Sequence, residues 1–392
     1  MVNKFVNKFA NSKVQSIGPS ASSSLNDKAM ELRAAGKKIV NLTIGEPNFD
    51  TPKRIKEAAY KSIEAGFTHY VPAPGVSTLR ESIAKKLQNE NDIEVDPVDE
   101  IIVTPGAKFA IYLAIITFLE EGDEVLILDP SWVSYKPLVQ LSGAKPVSVP
   151  LHYDDNFKIT REKLEKNVTS KTKMIIINSP NNPTGRVFTK EEVKEINQFI
   201  LDHNILAISD EIYEHIVYDN FKNISLASDP SVKESIITIN GFSKSYAMTG
   251  WRLGYIAAEK ELVKEMVKVQ QHLVSCATSF SQYAAIEAFD CESEVNLMVE
   301  DYKRRRDFLV SELNSLPGFE CRSPEGTFYV FAKVNYNGMN SEEFSQYIFE
   351  NAGVLVTPGA AYNDNECIRL SFAASMEELE AGVESLKKVL YE

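Results

Sequence analysis

Cysteine is scarce in this chain: four among 392 residues, at 276, 291, 321 and 367. No Cys-x-x-Cys pair occurs and no cysteine–histidine set has metal-ligand spacing, so reduced structural thiols and no bound metal are expected. Long apolar runs are lacking too. The longest, Phe109 to Leu119, is about half of the ~20 residues a membrane helix needs, which speaks against a membrane partner. Positive charge is in deficit: 42 Lys and Arg against 55 Asp and Glu leave a net charge of -13. A nucleic-acid partner needs basic side chains gathered on one face, and none is expected here. The dense basic run Lys303-Arg304-Arg305-Arg306 sits in a polar, helix-like stretch and reads as a solvated helix face. The N-terminus repeats Val-Asn-Lys-Phe at 2–5 and 6–9. Lysines interrupt any signal-peptide core there, so a short amphipathic arm and a cytoplasmic location are expected.

What is present is ordinary globular material, 44% hydrophobic and 25% charged, in a chain longer than one core usually organises. From about residue 100, short β-branched runs alternate with helix-length segments. Runs at 101–104, 124–128, 174–177, 205–209 and 235–239 are nearly all apolar, as strands of a parallel sheet covered on both faces would be. That predicts an α/β architecture. Beyond about residue 290 the rhythm changes to a long charged helix at 292–315, a strand at 327–331, a helix, a strand at 367–372 and a closing helix. This predicts a smaller α+β unit, joined by a helix near 23–36 and a strand at 38–44. The expected division is 1–46 with 291–392 as the small domain, and 47–290 as the large one.

Ligands of open parallel sheets sit beyond the carboxyl ends of the strands. After 101–104 comes Pro105-Gly106-Ala107-Lys108, opening a helix whose N–H groups suit an anion. Asn178 through Gly185 follow the run at 174–177, Asp210-Glu211-Ile212-Tyr213 the run at 205–209, and Ser243-Lys244, continuing to Arg252, come after the run at 235–239. The phosphate turn lacks the spacing of dinucleotide folds and of P-loops, so those two readings fall. An anion cradle, an Asn, an acid with a Tyr and a Lys with an Arg remain, at four strand ends.

Asn-Pro-Thr-Gly at 182–185, Ser-Asp-Glu-Ile-Tyr at 209–213 and Ser-Lys-x-x-x-x-Thr-Gly-Trp-Arg at 243–252 resemble the class I aminotransferases, in particular the bacterial aspartate aminotransferase-like subgroup. The likeness extends from Gly-Glu-Pro-Asn-Phe-Asp-Thr-Pro at 45–52 to Ile-Arg-Leu-Ser-Phe at 368–372, nearly the whole chain. It implies a large domain with a mostly parallel, seven-stranded sheet, and transamination between an L-amino acid and a 2-oxo acid. The implied cofactor is pyridoxal 5'-phosphate, an electron sink that the protein must bind and tune.

By this resemblance Lys244 carries the cofactor as a Schiff base and shuttles the proton. Asp210 pairs with the pyridine nitrogen, a cation that should lower its pKa. Tyr213 and Asn182 hydrogen-bond the ring oxygen. Gly106, Ala107 and Lys108, with Ser243 and Arg252, hold the phosphate. Many members carry a Ser where this chain has Gly241, and Ser243 can supply that hydroxyl instead. Trp132 stacks on the ring and borders the substrate. Tyr70 reaches the phosphate of the neighbouring subunit, which implies a homodimer with shared sites. Arg369 takes the substrate α-carboxylate, with Gly45 close by and Asn182 within reach.

An acidic substrate also needs a cation or strong donors for its distal carboxylate. The helix beyond Lys108 carries no Lys or Arg up to Leu119, and the loop from Gly18 to Ser24 offers serines at 20, 22, 23 and 24. L-Aspartate with 2-oxoglutarate is the expectation from overall similarity. Neutral or aromatic donors are the alternative, and a C–S lyase on the same cofactor is a further one.

Overall fold

A computed structural model describes residues 9–19, 21–36 and 38–391. In chain order the strands are β1 (Val40–Asn41), β2 (Ile101–Thr104), β3 (Glu124–Asp129), β4 (Lys145–Pro150), β5 (Thr172–Asn178), β6 (Leu206–Asp210), β7 (Ile236–Gly241), β8 (Gly254–Ala257), β9 (Phe319–Glu320), β10 (Tyr329–Val334), β11 (Val354–Leu355), β12 (Thr357–Pro358) and β13 (Cys367–Ser371). Seven of them form one sheet in the order β2-β8-β7-β6-β5-β3-β4. It is parallel except for β8, which runs antiparallel to both neighbours. The expected α/β sheet is therefore present.

Alternation along each strand feeds two separate cores. In β5, Met174 and Ile176 join a cluster with Ile111, Val139 and Met266, while Ile175 and Ile177 face Leu79, Ile83 and Phe199 on the other side. Helices on both faces exclude water from the sheet, and this explains the unbroken apolar runs. Two strands escape the sequence reading. β4 is an edge strand whose half-exposed Lys-Pro-Val-Ser-Val-Pro pattern is broken by prolines that an edge tolerates. β8 is only four residues long.

The smaller α+β unit draws on both chain ends. Its antiparallel sheet has the order β12-β13-β10-β9, and β1 pairs with β11 in parallel. Leu42 shares its core with Phe344, Leu370 and Leu386. Tyr213, Ile216 and Tyr218, which follow β6, belong to the same core and stitch the two units together. The helices Ala21–Ala34 and Glu292–Ser315 match expectation closely, but the strand foreseen at 38–44 shrinks to Val40–Asn41.

Only half of the basic run is the solvated face expected of it: Arg304 is exposed and Lys303 partly so. Arg305 and Arg306 are buried. Arg305 donates to Asn48 Oδ1 at 2.8 Å and to the Ala374 carbonyl at 2.7 Å, and Arg306 pairs with Asp219 at 2.9 Å. Both guanidinium groups lie over aromatic rings, those of Phe49 and Tyr218 among them. They pack this long helix onto its neighbours, a use that local polarity conceals. The N-terminal arm through residue 8 and Ser20 lie outside the described residues, as do the side chains of Ser22, Ser23 and Ser24. Among the described residues, no helix is long and apolar enough to cross a membrane.

Candidate active site

A cavity of about 400 Å³ lies where the carboxyl ends of β2, β5, β6 and β7 meet the smaller unit. The large sheet contributes Ala107, Lys108, Trp132, Asn182, Asp210, Tyr213, Ser243, Lys244 and Arg252 to its wall, and the facing side contributes Gly45 and Arg369. Gly106 precedes Ala107 in the chain but is not itself part of the lining. Tyr70 does not join it and is 87% exposed.

The turn at 104–108 forms because Gly106 adopts φ 91°, a left-handed conformation that a side chain would strain. A Cβ there would come within 2.8 Å of an Arg252 guanidinium nitrogen. Gly254 has a similar part: a Cβ on it would meet the Ala107 nitrogen at 2.6 Å. The two glycines thus let the first turn of the helix Ala107–Phe118 press against β8, with Arg252 alongside. No side chain caps that helix, so its leading N–H groups and dipole present positive charge to the cavity.

Asp210 ends β6 and is buried. Tyr135 donates a hydrogen bond to its Oδ2 at 2.6 Å, and the Ile212 N–H reaches Oδ1 at 3.3 Å. The lowered pKa expected of it belongs to the state with a ring cation beside the carboxylate; in the chain alone, desolvation is the larger influence. Burial raises Asp210 to about 6, against the hydrogen bonds and the more distant Lys244. No cation touches the carboxylate among the described residues. Desolvation therefore prevails.

Lys244 extends its Nζ to the Gly45 carbonyl at 2.5 Å. Burial lowers its pKa to about 8, aided by Arg369 and Arg252 and opposed by Glu46 and Asp210. Arg369, 2% exposed, donates to Asn182 Oδ1 at 3.1 Å and to the Thr43 carbonyl at 2.8 Å. Its guanidinium lies 4.2 Å from the Tyr329 ring centroid and 5.3 Å from that of Tyr362. Among the described residues no acid pairs with it, an unusual state for a buried cation.

Sequence reading missed several contributors. Tyr135 lies three residues beyond Trp132, at the start of the helix Tyr135–Ser142, and gives no local sign of contact with Asp210. Asn178 donates to the Asp210 carbonyl at 2.8 Å and accepts from the Asn182 N–H at 2.9 Å, bracing the two loops. Glu46 accepts from Thr249 Oγ1 at 2.6 Å across the cavity. Tyr329 meets the site only because β10 pairs with β13.

Comparison with known proteins agrees with this arrangement. The family model for aminotransferase class I and II matches residues 37–386. The chain is 44% identical to an aspartate aminotransferase of Pyrococcus abyssi, over 93% of this chain and 95% of that one. It is 42% identical to aromatic-amino-acid aminotransferase 2 of Thermococcus litoralis, over 97% and 98%. The structure of an aspartate aminotransferase from Thermus thermophilus with maleate superposes with a TM-score of 0.94 at 37% identity, covering 97% of this chain and 99% of that one. With the family model spanning nearly the whole chain, and relatives this similar along their own full length, the protein is an enzyme of the class I and II aminotransferase family.

Proposed function

We propose that this aminotransferase uses pyridoxal 5'-phosphate to move the amino group of L-aspartate to 2-oxoglutarate by a ping-pong mechanism, as a cytoplasmic homodimer. One observation carries the reading. Among the described residues, Asp210 is a buried acid without a paired cation and Arg369 a buried cation without a paired acid, and both act on the Lys244 amine. The cofactor's ring nitrogen answers the first, and the substrate's α-carboxylate answers the second.

The residues present fit the cofactor. Asp210 would hold the ring nitrogen, and a cation there would reverse the upward push of burial. Tyr213 would hold the ring oxygen, Trp132 the ring face, and the N–H groups of Ala107 and Lys108 with Ser243 and Arg252 the phosphate. When bound, pyridoxal phosphate supplies an electron sink conjugated to the substrate's α-carbon. Lys244, with its pKa near 8, is neutral often enough near neutral pH to lift the Cα proton, and acidic enough to give it back. Arg369 fixes the substrate by two parallel hydrogen bonds to its carboxylate. Because Arg369 stands on the smaller unit and Lys244 on the larger, substrate bridges the two and favours a closed, drier site. The division at 1–46 with 291–392 against 47–290 follows from the same reading.

Lys108 supports an acidic substrate. Its backbone suits the phosphate, but its ammonium lies 4.9 Å from the Trp132 ring centroid, in the cavity wall. Burial and Arg252 lower its pKa, and a distal carboxylate alongside would offset both. The aromatic relative and the apolar wall formed by Trp132 and Ile111 favour the second reading, a broad-specificity enzyme for neutral and aromatic amino acids. A half-reaction screen decides between them. Each amino acid is added singly to the loaded enzyme, and conversion of the cofactor is followed by absorbance. Aspartate and glutamate are expected to react fastest, and slower reaction than with tyrosine or phenylalanine would transfer the name to the second reading.

A further inference from the structure

Tyr329 opens β10, is fully buried, and has no part in the scheme above. Three features converge on it. Its ring lies 4.2 Å from the Arg369 guanidinium carbon. Its hydroxyl lies 3.1 Å from the Tyr213 hydroxyl. A Cβ on Gly45 would come within 3.5 Å of the same oxygen, so the hydroxyl stands at the wall where substrate would lie. Strand pairing produces this placement. Tyr329 is paired with Ser371, and Arg369 with Phe331 two residues along. Tyr329 and Arg369 are therefore diagonal neighbours on one face of the small sheet.

Proton accounting gives the contact a direction. Each phenol carries one proton. If Tyr213 spends its own on the cofactor's ring oxygen, its hydroxyl can only accept from Tyr329. Burial raises the Tyr329 pKa, against Arg369 and Tyr213, so its proton stays in place through the neutral range. We infer that Tyr329 is a positioning residue that joins the substrate-carboxylate site to the cofactor-ring site, its ring bearing the Arg369 guanidinium and its hydroxyl donating to Tyr213. This rests on the roles given to Arg369 and Tyr213 above. The donated bond polarises the Tyr213 O–H and makes it a better donor. The ring face holds the guanidinium plane without neutralising it, as an acid would.

Two substitutions separate the two duties. Tyr329→Phe keeps the ring and removes the hydroxyl, whereas Tyr329→Leu removes both, and Tyr213→Phe serves as reference. Each cofactor-loaded variant is titrated with pH by its visible absorbance without substrate, and KM and kcat are then measured. Losing a donor leaves the ring oxygen more basic, so Tyr213→Phe should move the titration midpoint upward. Tyr329→Phe should move it the same way by less, with KM within about twofold of the parent. Tyr329→Leu should in addition raise KM on the order of tenfold, the worth of a desolvated cation–π contact. A Tyr329→Phe midpoint equal to the parent's, while Tyr213→Phe shifts, overturns the hydroxyl coupling alone. Equal KM values for the Leu and Phe variants overturn the ring-bearing duty. If Tyr213→Phe itself shifts nothing, the assignment of the ring hydroxyl fails, and this inference with it.

Discussion

Arg369→Ala should lower kcat/KM by about 2–5 kcal/mol, because a buried charge-assisted pair with the substrate carboxylate is lost. Steady-state kinetics with the preferred amino acid check this, and an unchanged value would place the carboxylate elsewhere. Tyr135→Phe removes the 2.6 Å hydrogen bond to Asp210. Without it Asp210 should become still harder to ionise and should grip the ring nitrogen less firmly. The expected result is faster cofactor loss on dilution and a kcat/KM reduced by roughly 1.5–3 kcal/mol, the usual range for a hydrogen bond to a charged group. Lys244 and Asp210 were legible in the sequence because both lie in motifs at the carboxyl ends of apolar strands, Asp210 as the last residue of β6 and Lys244 three residues beyond β7. Tyr135 was not: its meeting with Asp210 joins the start of a helix to the end of a strand 75 residues away. The burial that raises Asp210 in the chain alone was not legible either, because sequence reveals a partner but not the depth of desolvation.

Behind Asp210 a polar network ties the helix Ser77–Asn91 to the segment 211–225. Glu211 accepts hydrogen bonds from Ser209 at 2.8 Å, Asn223 at 2.9 Å and Ser225 at 2.5 Å. Glu214 takes Lys86 and, at 2.7 Å, Asn91. Burial and the neighbouring Glu214 raise Glu211 from 4.5 to about 7. Burial opposes ionisation of Glu214 as well, but Lys86 and His215 prevail and hold it at about 2. Between about pH 4.5 and 7 the folded chain therefore holds a proton on Glu211 that the unfolded chain releases. Stability should fall as pH rises through that window. Glu211→Gln should flatten the decline of Tm with pH between about 5 and 7, as read by thermal melts. An unaltered slope would assign the titration to another group. At this scale the sequence predicted the central strands well, since burial on both faces enforces their composition. It failed at β4 and at Arg305 and Arg306, where edge position and contacts across the two units override local pattern.

For the whole molecule, the open question is whether one chain completes its own site. Tyr70, 87% exposed and outside the cavity, should serve the partner's cofactor. Mixing a Tyr70→Ala chain with a Lys244→Ala chain should then yield hybrid dimers in which one site is intact and the other carries both lesions. Recovery of roughly half the activity of the unmutated dimer per hybrid is expected for twofold symmetry. Failure to exceed the two parents' sum would place Tyr70 outside catalysis. The seam between the two units has a practical side as well. Arg369 rests on the rings of Tyr329 and Tyr362, so among the described residues no carboxylate competes with an incoming anion. Small acids used as buffers, such as acetate, succinate or citrate, should occupy it. Assays run in them will underrate the enzyme's affinity for its amino acid, and a series of dicarboxylates of graded length would serve as a ruler for the distance from Arg369 to whatever reads the far end of the substrate.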